Sequence, residues 1–410
     1  MTKQKNQRWL IVASLFVTVF LVFGGGFDSF PIFLAPLLHH FHWSRARTST
    51  LESALLITAG VSAPVVGALL DRFEAKLVIT LGALIAGLAL LAASRVSSFA
   101  PMLIAYLVLG LGIGASTLLP VSLVISNWFE SQRGLAMAVA LSGTSLGGAV
   151  MALVANVASA HGGWRAGYVA LGVPILVVAV PLTLFTIHTR PASHSAIIAD
   201  GANSIAGLDI PQGLSTRTFW MICLAQFVSS NVVAGTHTHI AAHLVDIGYD
   251  TSVAVEVISA TYVATSIGKV IMGLVADRLG GRASLAINFA LIGCGVLLIF
   301  GVQHVALLIL FIAVYGMAIG APQVLIPMML VESVGLKRFG SLAGLVGIFN
   351  TAGAALGPVA TGRIFDLKGS YTMAFAGFAA MSVVGLFATL ACKPLKGCVA
   401  TSALPMEPVD

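Results

Sequence analysis

Lys269 stands inside the long apolar run 254–276, where a charge needs a chemical reason. It precedes Asp277, at the polar end of that run, by eight residues. In a helix that separation is ~12 Å, close to the middle of a ~30 Å hydrocarbon layer. A lysine at that depth costs ~2.5–3.5 kcal/mol on insertion scales, so it faces a cavity or a partner. Asp28 is the second candidate. It follows Gly24-Gly25-Gly26-Phe27 about 20 residues into the first apolar run, in its outer half, beside glycines that permit bending or close packing. A carboxylate in such a place can carry a proton, or serve as the charge partner of Lys269 across the molecule. The plainer reading puts it at the outer water boundary with no specific task.

Other polar residues in apolar runs are weaker candidates. Asn231, His237, His239 and His243 share one run, and His239 and His243, four apart, share a helix face. With no Cys or acidic ligand beside them a metal is not expected; His237 and His239 remain candidates for proton coupling. Gln323, Phe349 and Asn350 stand at depths suited to a central cavity, as do Ser116 and Thr117. Polar residues also glue helices together, which competes with any substrate role. His39, His40 and His42 cluster at the end of the first run, where a solvated loop is the simplest reading. Cys223, Cys294, Cys392 and Cys398 have no metal or redox spacing. Gly143-Thr-Ser-Leu-Gly147 matches the esterase pattern G-x-S-x-G, which needs a strand–turn–helix elbow; an apolar helix excludes that use. Neither a phosphate-binding loop nor H-E-x-x-H is present, which argues against ATP drive and zinc proteolysis. No catalytic residue, metal or cofactor is expected, and the chain is not read as an enzyme.

The elements that carry these residues follow from composition. The 410 residues are 58% hydrophobic and 9% charged, with net charge +6 and mean hydropathy +1.01. A soluble domain is about a quarter charged. Twelve apolar segments can be marked, at roughly 9–36, 48–70, 76–94, 101–126, 134–159, 166–187, 219–245, 254–276, 283–301, 305–331, 340–364 and 371–391. The first is read as an uncleaved membrane helix. The Ser-, Ala-, Gly- and Pro-rich stretch 188–218 shows no sustained helical pattern. It is read as a cytoplasmic linker between an N-terminal bundle, 1–187, and a C-terminal bundle, 219–410. Fourteen of the 21 Lys and Arg fall on the side of the N-terminus and six on the other. The positive-inside rule then makes both termini cytoplasmic, in a cell (inner) membrane, and accounts for the basic balance without nucleic acid.

The halves are copies. Asp71 and Asp277 are 206 residues apart, and the same offset carries Gly67 to Gly273, Arg72 to Arg278, Gly110 to Gly316, Gly134 to Gly340 and Gly163 to Gly369. Six helices per half is an even number, so the repeats run parallel about an axis along the membrane normal, with a cavity between them.

Gly273-Leu-Val-Ala-Asp-Arg-Leu-Gly-Gly-Arg282 resembles the loop signature of the major facilitator superfamily, G-x-L-a-D-R-x-G-r-[RK]. Gly67 to Lys76 is a weaker copy, with Glu74 in place of the glycine. The resemblance covers nearly the whole chain and implies a twelve-helix all-α membrane protein in two parallel six-helix repeats. It also implies that the loops around Gly67, Asp71, Arg72, Gly273, Asp277 and Arg278 gate the cytoplasmic side. There an aspartate can pair with arginine or sit at a helix N-terminus. Phe129, Arg133, Leu135, Ala136, Ala138, Ala140, Ser142 and Gly143 are similar to the fifth-helix pattern of the monocarboxylate transporter and oxalate–formate antiporter branch. Gly357-Pro358 through Tyr371 is similar to its helix eleven. The acidic-Gly-Gly-Trp signature of the animal members is missing, which points to a prokaryotic type. In that branch a helix-eight arginine before Met-Gly-Leu-Val-Ala binds the substrate carboxylate, and Lys269 stands in its place. The family's carboxylate one turn earlier is Thr265 here, so a bound anion is the implied partner of Lys269. Lysine offers a point charge rather than a two-pronged grip.

The expectation is a monomeric secondary transporter of small organic anions, in first place monocarboxylates, working by alternating access with proton symport or anion exchange (antiport). Lys269, Asp28, Asn231, His237, Gln323, Phe349 and Asn350 would meet the substrate. Asp28, His237 or His239 would carry the proton. The alternatives are an efflux transporter of amphipathic compounds and a membrane sensor without flux.

Overall fold

The structure, a computed structural model, describes residues 2–43, 45–129, 131–187 and 207–393. Arg190, Lys396, Cys398 and the first part of the linker, 188–206, lie outside the described residues. Among the described residues twelve helical spans cross the molecule. In chain order they are α1 (2–41), α2 (Arg45–Arg72), α3 (Ala75–Ala93), α4 (99–128), α5 (133–162), α6 (164–186), α7 (Arg217–Asp246), α8 (251–279), α9 (281–298), α10 (305–334), α11 (Phe339–Lys368) and α12 (Thr372–Ala391). The stretches Arg133–Thr186 and Glu256–Gly301 are 54 and 46 residues long, enough for two crossings each. Each breaks at a glycine with positive φ, Gly163 at 73° and Gly280 at 80°, a conformation that costs only glycine little.

The repeat is visible in the turns. Gly163 and its counterpart Gly369 both have positive φ, 73° and 66°. The charged turns differ. Gly280 bends through left-handed space, whereas its counterpart Glu74 has φ −61° and ψ 130°, ordinary extended backbone. The weaker first copy of the signature therefore reflects a different turn that needs no glycine.

Apolar residues such as Val61, Val65, Val359 and Phe387 are exposed on the outside, as lipid contact requires. Because lipid is as apolar as the interior, helices here associate through close packing of small residues. A side chain at Gly24 of α1 would collide with the backbone of Gly147 on α5, one at Gly67 of α2 with Gly340 on α11, and one at Gly134 of α5 with Gly273 on α8.

The last two of these crossings join the N-terminal half to the C-terminal half, at the end that carries the charged turns. Neither α1 nor α7 packs substantially against the opposite half. The halves are thus tied together at the charged-turn end, while α1 and α7 do not pack substantially against one another at the other. Within the linker, Ile210–Ser215 forms a short helix with a capping box from Asp209 and Gln212, where the sequence showed no sustained pattern. The segment docks on the C-terminal half: Leu208 N–H donates to Val334 O at 2.8 Å, and Lys337 Nζ lies 2.8 Å from Asp209 Oδ2.

Candidate functional site

Lys269 projects from α8 across the boundary between the halves. Its stem passes Gly320 of α10, where any side chain would overlap it. Its ammonium meets one turn of α5, donating to Leu141 O at 3.2 Å, Thr144 Oγ1 at 2.6 Å and Ser145 Oγ at 3.1 Å. Lysine has three N–H donors, and all three have protein acceptors. The residue is 1% exposed. No carboxylate lies within 4.0 Å of it among the described residues. Thr265, one turn earlier, spends its hydroxyl proton on Thr261 O (2.7 Å) and Gly316 O (3.0 Å), fastening α8 to α10.

Asp28 sits on the next turn outward. The three glycines close into a π turn, Gly24–Asp28, held by Ser29 Oγ donating to Gly24 O at 2.8 Å. Such turns recur at functional positions because the extra residue re-aims a side chain. Gly24 lies on the backbone of Gly147, and this contact sets the Asp28 carboxylate against Gly148, where a Cβ would strike it. Gly148 is three residues past Ser145, ~4.5 Å along α5. Asp28 from α1 and Lys269 from α8 thus meet the same stretch of α5, at Gly148 and at Thr144–Ser145.

Glu52 was not singled out from sequence, because it lies four residues inside the outer end of its run, where a carboxylate is unremarkable. In the structure Glu52 is half-buried on α2, and on α4 the Tyr106 hydroxyl pairs with that of Tyr168 at 2.6 Å. Thr144 and Ser145 belong to the esterase-like pattern that sequence reasoning set aside. Gly143 and Gly147 of that pattern let α1 approach, and Thr144 and Ser145 take the ammonium.

The other candidates separate. His237 lies against α8, its ring edge-on to Tyr262 at 5.1 Å and its Nε2 buried without a hydrogen-bond partner among the described residues. His239 turns to α11, 3.0 Å from Pro358 O, and His243 to Tyr371 and Phe375. Asn231 donates to Gly353 O at 3.3 Å, and Asn350 Oδ1 accepts from Gln226 (2.7 Å) and Ser230 (2.5 Å). Both thus sit on the α7–α11 crossing. Phe349 packs edge-on to Trp220 near the start of α7. Gln323 keeps a buried Oε1 without a partner one turn past Gly320. The hydroxyls of Ser116 and Thr117 bond back to Gly112 O and Ile113 O at 2.7 Å within α4. No group of three or more metal-ligating side chains is found among the described residues. A separate cavity of about 280 Å³, lined by His243, Asp246, Gln303, Phe365, Tyr371 and Phe375, opens at the other end of the C-terminal half, away from Lys269.

The charged turns act as helix caps. The Asp277 carboxylate accepts from the N–H groups of Gly134 (2.6 Å) and Leu135 (2.9 Å) at the start of α5. Asp71 accepts from Gly340 N–H and Ser341 N–H, both at 3.1 Å, and from Ser341 Oγ at 2.5 Å, at the start of α11. Each aspartate thus binds the positive end of a helix in the opposite half. Arg72 and Arg278 stay exposed. A cap that sequence reasoning missed is Glu332, which accepts from Gly281 N–H at the start of α9 at 2.9 and 3.1 Å.

Helix order, parallel repeat and paired caps define a transporter of the two-bundle type. The family model of the Major Facilitator Superfamily matches residues 15–256 and 218–396, and the chain belongs to that superfamily. It is 28% identical over 411 residues to the uncharacterized MFS-type transporter YcxA of Bacillus subtilis, covering 96% of this chain and 97% of the relative. It is 27% identical to monocarboxylate transporter 13 of Rattus norvegicus, covering 92% and 87%. Among solved structures, FucP in the outward conformation superposes with a TM-score of 0.71 at 16% identity, covering 92% of this chain and 97% of that one. The human organic anion transporter MFSD10 gives 0.71 at 15%, covering 93% and 99%. These likenesses show the fold. The relatives include the monocarboxylate branch indicated by the fifth- and eleventh-helix motifs, and the superfamily is one of transporters, not enzymes.

Proposed function

We propose that this chain carries small organic anions, monocarboxylates first, across a cell membrane by alternating access, and that the structure is its outward-open state. The observation that carries this reading is the buried cation Lys269, on the boundary between the halves with no carboxylate in contact among the described residues. A monocarboxylate supplies the missing charge. Asp28, one turn of α5 away, makes the site sensitive to protons, because a carboxylate so placed repels an arriving anion unless it is itself protonated. The names of the monocarboxylate transporter relatives support the same substrate class. Outward-open rests on the positive-inside assignment of the charged turns to the cytoplasm.

The test is uptake of radiolabelled lactate, pyruvate, formate and oxalate into proteoliposomes, with and without an inward proton gradient. Wild-type uptake rises with the gradient, Lys269→Gln loses it to background, and Asp28→Asn keeps exchange but no longer responds to the gradient. Flux that requires a preloaded counter-anion would move the reading to exchange. No flux of any acid by folded protein would overturn it.

A further inference from the structure

Lys269 is the cation proposed to bind substrate, yet its three N–H donors are already engaged and it is 1% exposed. Every acceptor belongs to α5, in the opposite half. The ammonium is therefore a strut between the halves. Thr144 also donates its own proton to Leu141 O at 2.9 Å, which turns its oxygen lone pairs toward the lysine. The strut lies on the α5–α8 crossing that Asp277 caps and where Gly134 and Gly273 touch. A shear of that crossing as the other end closes would take the ammonium off these acceptors. A buried ammonium without acceptors is strongly disfavoured, so the strut favours the state seen here.

We propose that Thr144 and Ser145 are positioning residues that tether the Lys269 ammonium across the halves, and that an arriving anion competes for the same ammonium and thereby releases the crossing. The competition rests on the reading of this chain as an anion carrier; the tether does not. A carboxylate offers the acceptors that α5 withdraws, so the lysine stays satisfied while the halves move. Substrate then triggers the conformational change by replacing protein acceptors. The esterase-like pattern acquires a purpose, since its glycines seat α1 and its hydroxyls hold the lysine.

The test uses the full chain in nanodiscs, cysteine-free except for spin labels at His42→Cys and Asp250→Cys, exposed positions at the open ends of the two halves. Pulsed EPR reads the distance across the mouth with no acid present and with lactate. In the wild type the long distance dominates, and lactate raises the short one. In Thr144→Val/Ser145→Ala the short-distance population rises at least tenfold without lactate, because hydrogen bonds to a charged group are lost. In proteoliposomes the same variant has a lower KM for lactate, since the competing acceptors are gone. A role in packing alone does not lower KM, and Thr144→Val keeps the shape. Thr144→Ser restores wild-type behaviour, and Thr144→Val alone serves where the double variant does not fold. No rise in the short distance with an unchanged or higher KM overturns the tether, whatever acids are carried. A rise without lactate, together with no response to lactate or any acid tested, supports the tether and overturns the anion competition.

Discussion

Two crossings close this molecule, and they are copies related by the 206-residue repeat. On α2–α11, Asp71 caps α11, Gly67 meets Gly340, and Ala63 packs on Gly344 and Gly347. On α5–α8, Asp277 caps α5, Gly134 meets Gly273, and the position of Ala63 is taken by Lys269. The counterparts of Leu141, Thr144 and Ser145 are Gly347, Asn350 and Thr351. Asn350 turns into its own half toward Gln226 and Ser230, and Thr351 bonds back to Gly347 O at 3.1 Å. One crossing is therefore held by a cap and small residues alone, while the other adds a buried charge. The shared parts can close the end, and the part that differs can be addressed by a ligand. If Lys269 binds an anion as proposed, a repeat protein gains an anion-responsive joint by changing one of two equivalent joints.

Breaking what the crossings share has the largest expected effect. Gly273→Val and Gly67→Val each place a side chain in a backbone-to-backbone contact. Overpacking costs roughly 1–3 kcal/mol, so each variant loses the closed end by about tenfold to a hundredfold, and uptake falls with it on both crossings. Protein retained in the membrane at normal level with unchanged uptake would show that these contacts do not limit the cycle.

The caps separate the crossings more finely. Removing a helix cap costs ~0.5–2 kcal/mol. Asp71 takes a hydroxyl as well as two N–H groups, and its crossing has no strut behind it. Asp71→Asn therefore shifts the EPR distance distribution more than Asp277→Asn, by a few-fold in population. With the strut removed, Asp277→Asn/Thr144→Val shifts it by more than the two single changes together, as expected for two ties on one joint. Additive behaviour would mean that cap and strut act independently.

How much of this could be read from the chain follows the physics of membranes. Helix number, the repeat, the charged turns and Lys269 as an interior cation were legible because apolar length, glycine and charge mark them directly. The direction a side chain faces was not. In lipid the interior and the surroundings are equally apolar, so hydrophobic periodicity does not mark the inward face. Thr144 and Ser145 accordingly stood only as members of a false motif. Phe349 and Asn350 stood at cavity depth but face Trp220 and Gln226. The π turn at Gly24–Asp28 was foreshadowed by its glycines, but its re-aiming of Asp28 depends on Gly147 and Gly148 of another helix.

The smallest expected effect is the control that gives the others meaning. Thr351 occupies on α11 the place that Ser145 occupies on α5. Its hydroxyl serves only its own helix in the bonds described, at 3.1 Å from Gly347 O. Such back-bonding contributes little to a helix, and valine keeps the shape against Gly60. Thr351→Val therefore changes lactate KM, maximal uptake and the EPR distribution by less than about twofold, within the ±0.5 kcal/mol expected of a substitution that breaks no tie. A response as large as that of Thr144→Val would show that any hydroxyl lost from a crossing loosens the bundle. The lysine would then hold no special place on its joint. A null result beside a large Thr144→Val effect assigns the difference between the two crossings to the ammonium.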